Sequence, residues 1–242
     1  MSKEISLISG FSGIESEKIR IHLNKLLPHL KPDDFVVVGG LAIRYHLISR
    51  GIPYPQRPFN DLDLIVKSPN VVFPSVSKDF LICHHHTDDF YLALVDPISK
   101  TKVDIFSYDP APKRLERVSL DNRHINVVSV EDQLVKTVLD IQRISSEAHV
   151  DPKQFFDTKL LVQISDLQRA NKVWQSHKFK EYPSDIEEAI DRAEKIAVDH
   201  PEWVEEKPFR KPKPYACTSC CSTNDFEIVP MEVVYKALGY IE

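Results

Sequence analysis

The sequence carries three carboxylates at spacings that could do chemistry. In Phe59-Asn-Asp-Leu-Asp-Leu-Ile-Val66, Asp61 and Asp63 sit two apart in an apolar segment that reads as a strand over 62–66, so both side chains leave one face. Two close like charges repel and call for a compensating cation. Further on, Val103-Asp104-Ile105-Phe106 places another carboxylate inside an otherwise apolar strand. There a lone charge is costly unless it is paired or bound to metal. Taken by itself, Asp104 reads as the exposed side of an edge strand. Beside Asp61 and Asp63 it is the natural third ligand. Such a set holds one or two Mg²⁺ ions, with two expected here, and substrate phosphates fill the remaining positions. Asp104, reaching a single ion, is then placed to take the proton of an incoming hydroxyl.

Upstream, Val36-Val-Val-Gly-Gly-Leu-Ala42 reads as a strand that breaks at Gly39-Gly40 into a helix. A turn of this kind lets the backbone approach phosphate oxygens and aims helix N–H groups at them. A Gly-Gly after a strand is by itself usually a tight turn, and an Asp-x-Asp is often an exposed face. The ordered set of glycine turn, paired carboxylates and later strand carboxylate is more specific. It implies nucleotidyl transfer from a nucleoside triphosphate.

The elements that must position these residues follow from periodicity. Ile19, Leu23, Leu26 and Leu27 predict a helix within 14–30, and Phe35–Val38 is a continuous apolar run expected of a strand buried on both faces. A helix over 41–49 follows, then a rigid loop, Gly51-Ile-Pro-Tyr-Pro-Gln-Arg-Pro58. The stretch 70–82 is ambiguous, with a short helix and a strand at Phe80–Cys83 as one solution. Strands are predicted at 91–95, 102–107 and 124–128. Ser129 then caps a helix with an acidic first turn, whose face of Val130, Leu134, Val138 and Ile141 leaves Lys136 on another side. Pro152 opens a further helix, 166–200 reads as mostly helical, 201–214 as a proline-rich segment, and 233–238 as a last short helix. The expected fold class is α/β (α+β): a mixed sheet flanked by helices (1–128), a helical region completing the pocket (129–200), and a proline-rich, cysteine-containing tail (201–242).

Composition sets the surroundings. The 242 residues carry a net charge of −5, so no global basic field holds nucleic acid, although a local basic cleft is compatible with it. No apolar run reaches the roughly 20 residues of a membrane span, and the start Met1-Ser-Lys-Glu-Ile lacks the order of a signal peptide. The expectation is a cytoplasmic protein without a membrane partner.

At this point the residues resemble a family. The pattern is similar to the nucleotidyltransferase superfamily, and more closely to the AbiEii and MenT-type toxins, abortive-infection nucleotidyltransferases of bacterial toxin–antitoxin systems. The resemblance rests on Arg57-Pro-Phe-Asn-Asp-Leu-Asp63, with Phe59 at a position the family fills with a hydroxyl residue. It rests also on Val130-Glu-Asp-Gln-Leu-Val-Lys136 and, in part, on Lys153-Gln-Phe-Phe-Asp157, and it covers roughly 33–165. It implies a nucleotidyltransferase-like core in which Lys136 contacts the nucleotide phosphates, Asp157 belongs to the same pocket, and Arg57 clamps phosphate with Gly39 and Gly40. It also implies an acceptor such as a tRNA 3′ end or a protein hydroxyl, and a possible cognate antitoxin. Two other readings stay open. One is a small-molecule nucleotidyltransferase of the antibiotic-modifying kind, whose cationic acceptors suit the acidic net charge. The other is an inactive nucleotidyltransferase-like binding module, against which the intact set of three aspartates argues.

Two further clusters stand apart from this set. Cys217-Thr-Ser-Cys-Cys221 has the spacing of half a zinc site, but two more ligands would have to arrive from elsewhere, for instance His200 or Cys83. Cys217, Cys220 and Cys221 are therefore read as free or buried thiols rather than as structural zinc. His84-His85-His86 reads as a solvated turn, because consecutive side chains diverge and seldom share one ion.

Overall fold

The computed structural model describes residues 5–54, 59, 61–86, 90–107, 114–143, 152–178, 181–203 and 226–241. Arg57, Cys217, Cys220 and Cys221, named above, lie outside the described residues.

A capping box opens the first helix, α1 (Gly13–Leu26), where Ser12 and Glu15 satisfy each other's backbone N–H groups. Its buried stripe of Ile19, Leu23 and Leu26 lies in the core of the sheet. His22, on the same stripe, is fully buried, with Nδ1 3.7 Å from Asp96 and 3.4 Å from the Ser99 hydroxyl. Burial pushes its pKa down from 6.5 to about 4, against the pull of the Asp96 charge. Unfolded His22 takes up a proton below pH 6.5 and folded His22 only below about 4. Stability is therefore fully present above pH 6.5 and falls as pH drops from there to 4. Urea midpoints of the wild type measured against those of His22→Phe should therefore fall as pH drops across that window, since the comparison cancels the other titrating groups.

Strand β1 (Phe35–Val38), buried at every position, leads directly into α2 (Gly39–Ser49), which starts at the glycine pair itself. Strand β2 (Asp61–Val66) runs antiparallel to β1 with Val38 opposite Asp63. Strands β3 (Leu81–His86), β4 (Tyr91–Asp96) and β5 (Thr101–Ser107) follow as an antiparallel meander, and β6 (Leu115–Leu120) and β7 (Arg123–Val128) form a hairpin. They assemble one mixed seven-stranded sheet in the order β3-β4-β5-β2-β1-β7-β6. Parallel pairing of β5 with β2 and of β7 with β1 brings sequence-distant strands to the centre.

Asp104, expected as the third member of the carboxylate set, stands inside the sheet: β5 lies between β4 and β2, and Asp104 is buried. One expectation changes. The three histidines are not a turn but the end of β3, paired with β4. His85 packs inward against Phe90 and Phe226, while His84 meets Tyr91, so the pleat does separate them. Strand β6 was not anticipated, because Leu-Glu-Arg-Val-Ser-Leu puts two charges where alternation would be read. As an edge strand it buries only Val118 and Leu120. Residues 226–230 cover the opposite edge, with the Val229 N–H donating to the Ile82 carbonyl.

From β7 the chain enters α3 (Val130–Gln142), then α4 (Pro152–Val162), α5 (Leu167–His177), α6 (Ile186–Asp199) and finally α7 (Met231–Leu238). Helices α3 to α6 share a second apolar core that also takes Ile43 and Leu47 from α2. Trp174 is fully buried there, its indole N–H donating to the Pro183 carbonyl. The Ser129 hydroxyl caps α3 by accepting from the Asp132 N–H. Ser129→Ala should lower stability by about 1 kcal/mol, read as a shift in the urea midpoint at unchanged slope. Among the described residues no helix is long and apolar enough to cross a membrane.

Candidate active site

The glycine pair and the carboxylates meet where β1 ends. Antiparallel pairing sets Val38 against Asp63, so the residue after Val38 must turn away beside that carboxylate. Gly39 does so with φ of +66°, and a Cβ there would overlap the Asp63 carboxylate, lying 2.9 Å from its carboxyl carbon. Gly40 has open space where its Cβ would be. The first glycine is thus required by the fold of the site, whereas the second leaves room for a ligand.

Parallel pairing of β2 with β5 sets Asp61 beside Lys102 and Asp63 beside Asp104, all on one face by the two-residue period. Burial raises the Asp63 pKa to about 7, assisted by the charges of Asp61 and Asp104 and opposed by Lys136 and Lys102. A carboxylate in that position is short of positive charge. Asp104 is better supplied. Its Oδ1 accepts from the Tyr91 hydroxyl and its Oδ2 from the Lys102 ammonium, each at 2.7 Å. Burial disfavours the charged Lys102, but Asp104 more than offsets this and holds the lysine pKa above its ordinary value. The Tyr91 phenol is likewise held above its ordinary range, by burial and by the adjacent Asp104 charge. Among the described residues no three His, Cys, Asp or Glu side chains are arranged to hold one ion. The negative charge gathered at Asp61 and Asp63 would suit a divalent cation, while the oxygens of Asp104 are engaged by protein groups.

Beside the carboxylates opens a cavity of about 500 Å³ lined by Gly39, Gly40, Asp61, Asp63, Lys136 and Asp157, together with Arg44, Gln133, Asp140 and Gln154. The structure thus brings Gly39, Gly40, Asp61, Asp63, Lys136 and Asp157 to one cavity, with Asp104 paired to Asp63 in the neighbouring strand. Lys136 is a half-exposed ammonium 2.8 Å from Asp140, one turn along α3. Asp157 is buried on α4.

Four residues of the site were not singled out. Gln133, one turn before Lys136, is buried and accepts the Gly39 N–H at 3.0 Å, so that amide is already taken and the next N–H groups of α2 face the cavity. Arg44, buried on α2, stacks on the Phe11 ring at 3.7 Å and donates to the Gly10 carbonyl. Lys102 and Tyr91 hold Asp104. The spacing of Lys102 and Asp104 was visible, since residues two apart on a strand share a face. Contacts made by Arg44, Gln133 and Tyr91 depend on chain pairings that no local pattern encodes.

No protein-family model matches the chain, and no curated protein does. Among solved structures it is similar to an antigenic nucleotidyltransferase-like protein from Paracoccidioides brasiliensis, at 15% identity and a TM-score of 0.43, covering 79% of this chain and 91% of that one. It is also similar to the antibiotic-resistance factor ANT(2'')-Ia in solution, at 13% identity and a TM-score of 0.47, covering 77% and 97%. A crystal structure of ANT(2")-Ia in complex with adenylyl-2"-tobramycin aligns at 12% identity and a TM-score of 0.46, covering 65% and 95%. Likenesses this distant decide nothing about chemistry, which has to come from the chain's own residues.

Proposed function

We infer that the chain is a Mg²⁺-dependent nucleotidyltransferase that moves a nucleoside monophosphate from a nucleoside triphosphate to an acceptor hydroxyl. The observation that carries this reading is the half-buried Asp63, beside Asp61 and Asp104 and set against Gly39 at the start of α2, on the wall of a cavity that also contains Lys136. In it, Asp61 and Asp63 hold Mg²⁺, with Asp104 as their neighbour. When bound, the metal polarises the phosphoryl oxygens and offsets charge that develops on them. Asp104 accepts the acceptor's proton as its oxygen bonds to the α-phosphorus, and pyrophosphate leaves. The Gly40 turn and the first free N–H groups of α2 receive phosphate oxygens. Lys136 turns from Asp140 to the phosphates, a small loss because a helical pair of this kind contributes about 0.2–0.5 kcal/mol. Asp157 closes the far wall.

The family resemblance favours an RNA acceptor such as a tRNA 3′ end, with a protein hydroxyl as its variant and a cognate antitoxin as partner. A small cationic acceptor is the second reading, supported by the carboxylates of Asp140 and Asp157 on the cavity wall. The test is incubation with each α-labelled nucleoside triphosphate and Mg²⁺ in the presence of total tRNA, a protein extract or an aminoglycoside. Label at the tRNA 3′ end selects the first acceptor class, and label on the aminoglycoside the second. Neither transfer nor nucleotide binding with any of the four triphosphates would remove the enzyme reading.

A further inference from the structure

Lys102 is the one ammonium that the sheet itself builds into the carboxylate cluster. It stands beside Asp61 in the β2–β5 ladder and two residues before Asp104 on the same face. Its Nζ lies 2.7 Å from Asp104 Oδ2 and 3.4 Å from the Tyr91 hydroxyl, which itself donates to Asp104 Oδ1. Asp104 is nearly covered, its side chain 10% exposed, while Lys102 reaches in from a side chain 42% exposed. The ammonium therefore enters from the solvent side of the cluster, the side from which an ion would also come.

We propose that Lys102 is an internal cation that takes the place of a second metal ion, so that the Asp61, Asp63 and Asp104 cluster accepts one divalent cation. This rests on the nucleotidyltransferase reading and narrows it. Charge supports it. The three carboxylates carry three negative charges, Lys102 offsets one, and one divalent ion offsets the other two. Geometry supports it as well, since both oxygens of Asp104 already have donors and no trio of ligands is assembled among the described residues. A second ion would have to displace Lys102 from a short, charge-assisted hydrogen bond. With Lys102 in place, Asp104 is a positioned proton acceptor rather than a shared metal ligand, and Tyr91 is a positioning residue that fixes its orientation.

Binding stoichiometry tests this directly. Free Mn²⁺ is followed by electron paramagnetic resonance as it is added to the full chain without nucleotide. One ion per chain is expected for the wild type and for Lys102→Arg, which keeps the charge. Two are expected for Lys102→Met, which keeps the length but removes the ammonium and releases Asp104. Circular dichroism checks that each variant is folded, and Lys102→Gln, which also removes the charge, takes the place of the Met variant if that one is not. Two ions in the wild type, or one in a folded Lys102→Met, would overturn the proposal while leaving the enzyme reading standing. No Mn²⁺ bound by the wild type would also overturn the proposal, and the label-transfer assay decides the enzyme reading separately.

Discussion

Replacing Asp61 and Asp63 together by alanine is expected to lower the proposed nucleotidyl transfer by at least about 10³-fold, equivalent to some 4 kcal/mol of barrier, while the protein still folds. The loss traces to the removal of both carboxylates from one site. The two side chains share a face of β2 at the cavity wall, and Asp104 beside them is engaged by Lys102 and Tyr91. Stability should move the other way. Folded Asp63 is held near a pKa of about 7 by burial and by its charged neighbours, against 3.8 when unfolded. The unfolded state therefore gives up its proton first, and the charged carboxylate weighs against folding progressively from pH 3.8 up to about 7. Asp63→Asn should accordingly be more stable than the wild type at pH 8 in a metal-free buffer, by roughly 1 kcal/mol or more, and the difference should vanish at pH 3.5. Mg²⁺ should raise the melting temperature of the wild type and leave the double variant unmoved. A double variant with wild-type transfer, or an Asp63→Asn that loses stability in metal-free buffer, would contradict this account.

Gly39→Ala is expected to have the second largest effect, and Gly40→Ala almost none on the fold. At Gly39 a methyl group meets the Asp63 carboxylate, and φ of +66° is one that side-chain-bearing residues rarely adopt. The backbone strain alone costs on the order of 1–3 kcal/mol, and the carboxylate must move as well, so transfer should fall by about 10²-fold or more, since misplacement of about 1 Å already has that effect. At Gly40 nothing stands near the added methyl group, and stability should stay within about 0.5 kcal/mol, as at an ordinary surface site. That methyl group does face the cavity, so a raised KM for the triphosphate at unchanged kcat would mark Gly40 as the point of close backbone approach. Urea unfolding and steady-state kinetics on the two variants distinguish these roles, which the sequence presents as one Gly-Gly pair.

Much of this site was legible before any tertiary structure. The two-residue period of β2 put Asp61 and Asp63 on one face, and the unbroken apolar run of β1 announced a central strand ending at Gly39. The Ser129 cap and the apolar face of α3 placed Lys136 away from that helix's core. These features are local: they depend on strand and helix periods and on capping, which a short stretch of chain determines by itself. What the sequence left open depended on pairing between distant segments. Whether Asp104 lay on an edge or at the centre was decided by the parallel ladder of β5 with β2, which also set Lys102 beside Asp61. That Gly39 is required by Asp63 follows from the antiparallel register of β1 with β2, and that its N–H is already spent follows from Gln133 arriving on α3. The histidines of β3 became a strand because β4 offered a partner and residues 226–230 covered the edge. The residue types thus determined that this chain carries a carboxylate pair beside a glycine turn. Only the long-range register of the sheet decided which carboxylate is held by a lysine and which are not, because the charge balance of the cluster depends on neighbours that the chain brings from more than thirty residues away.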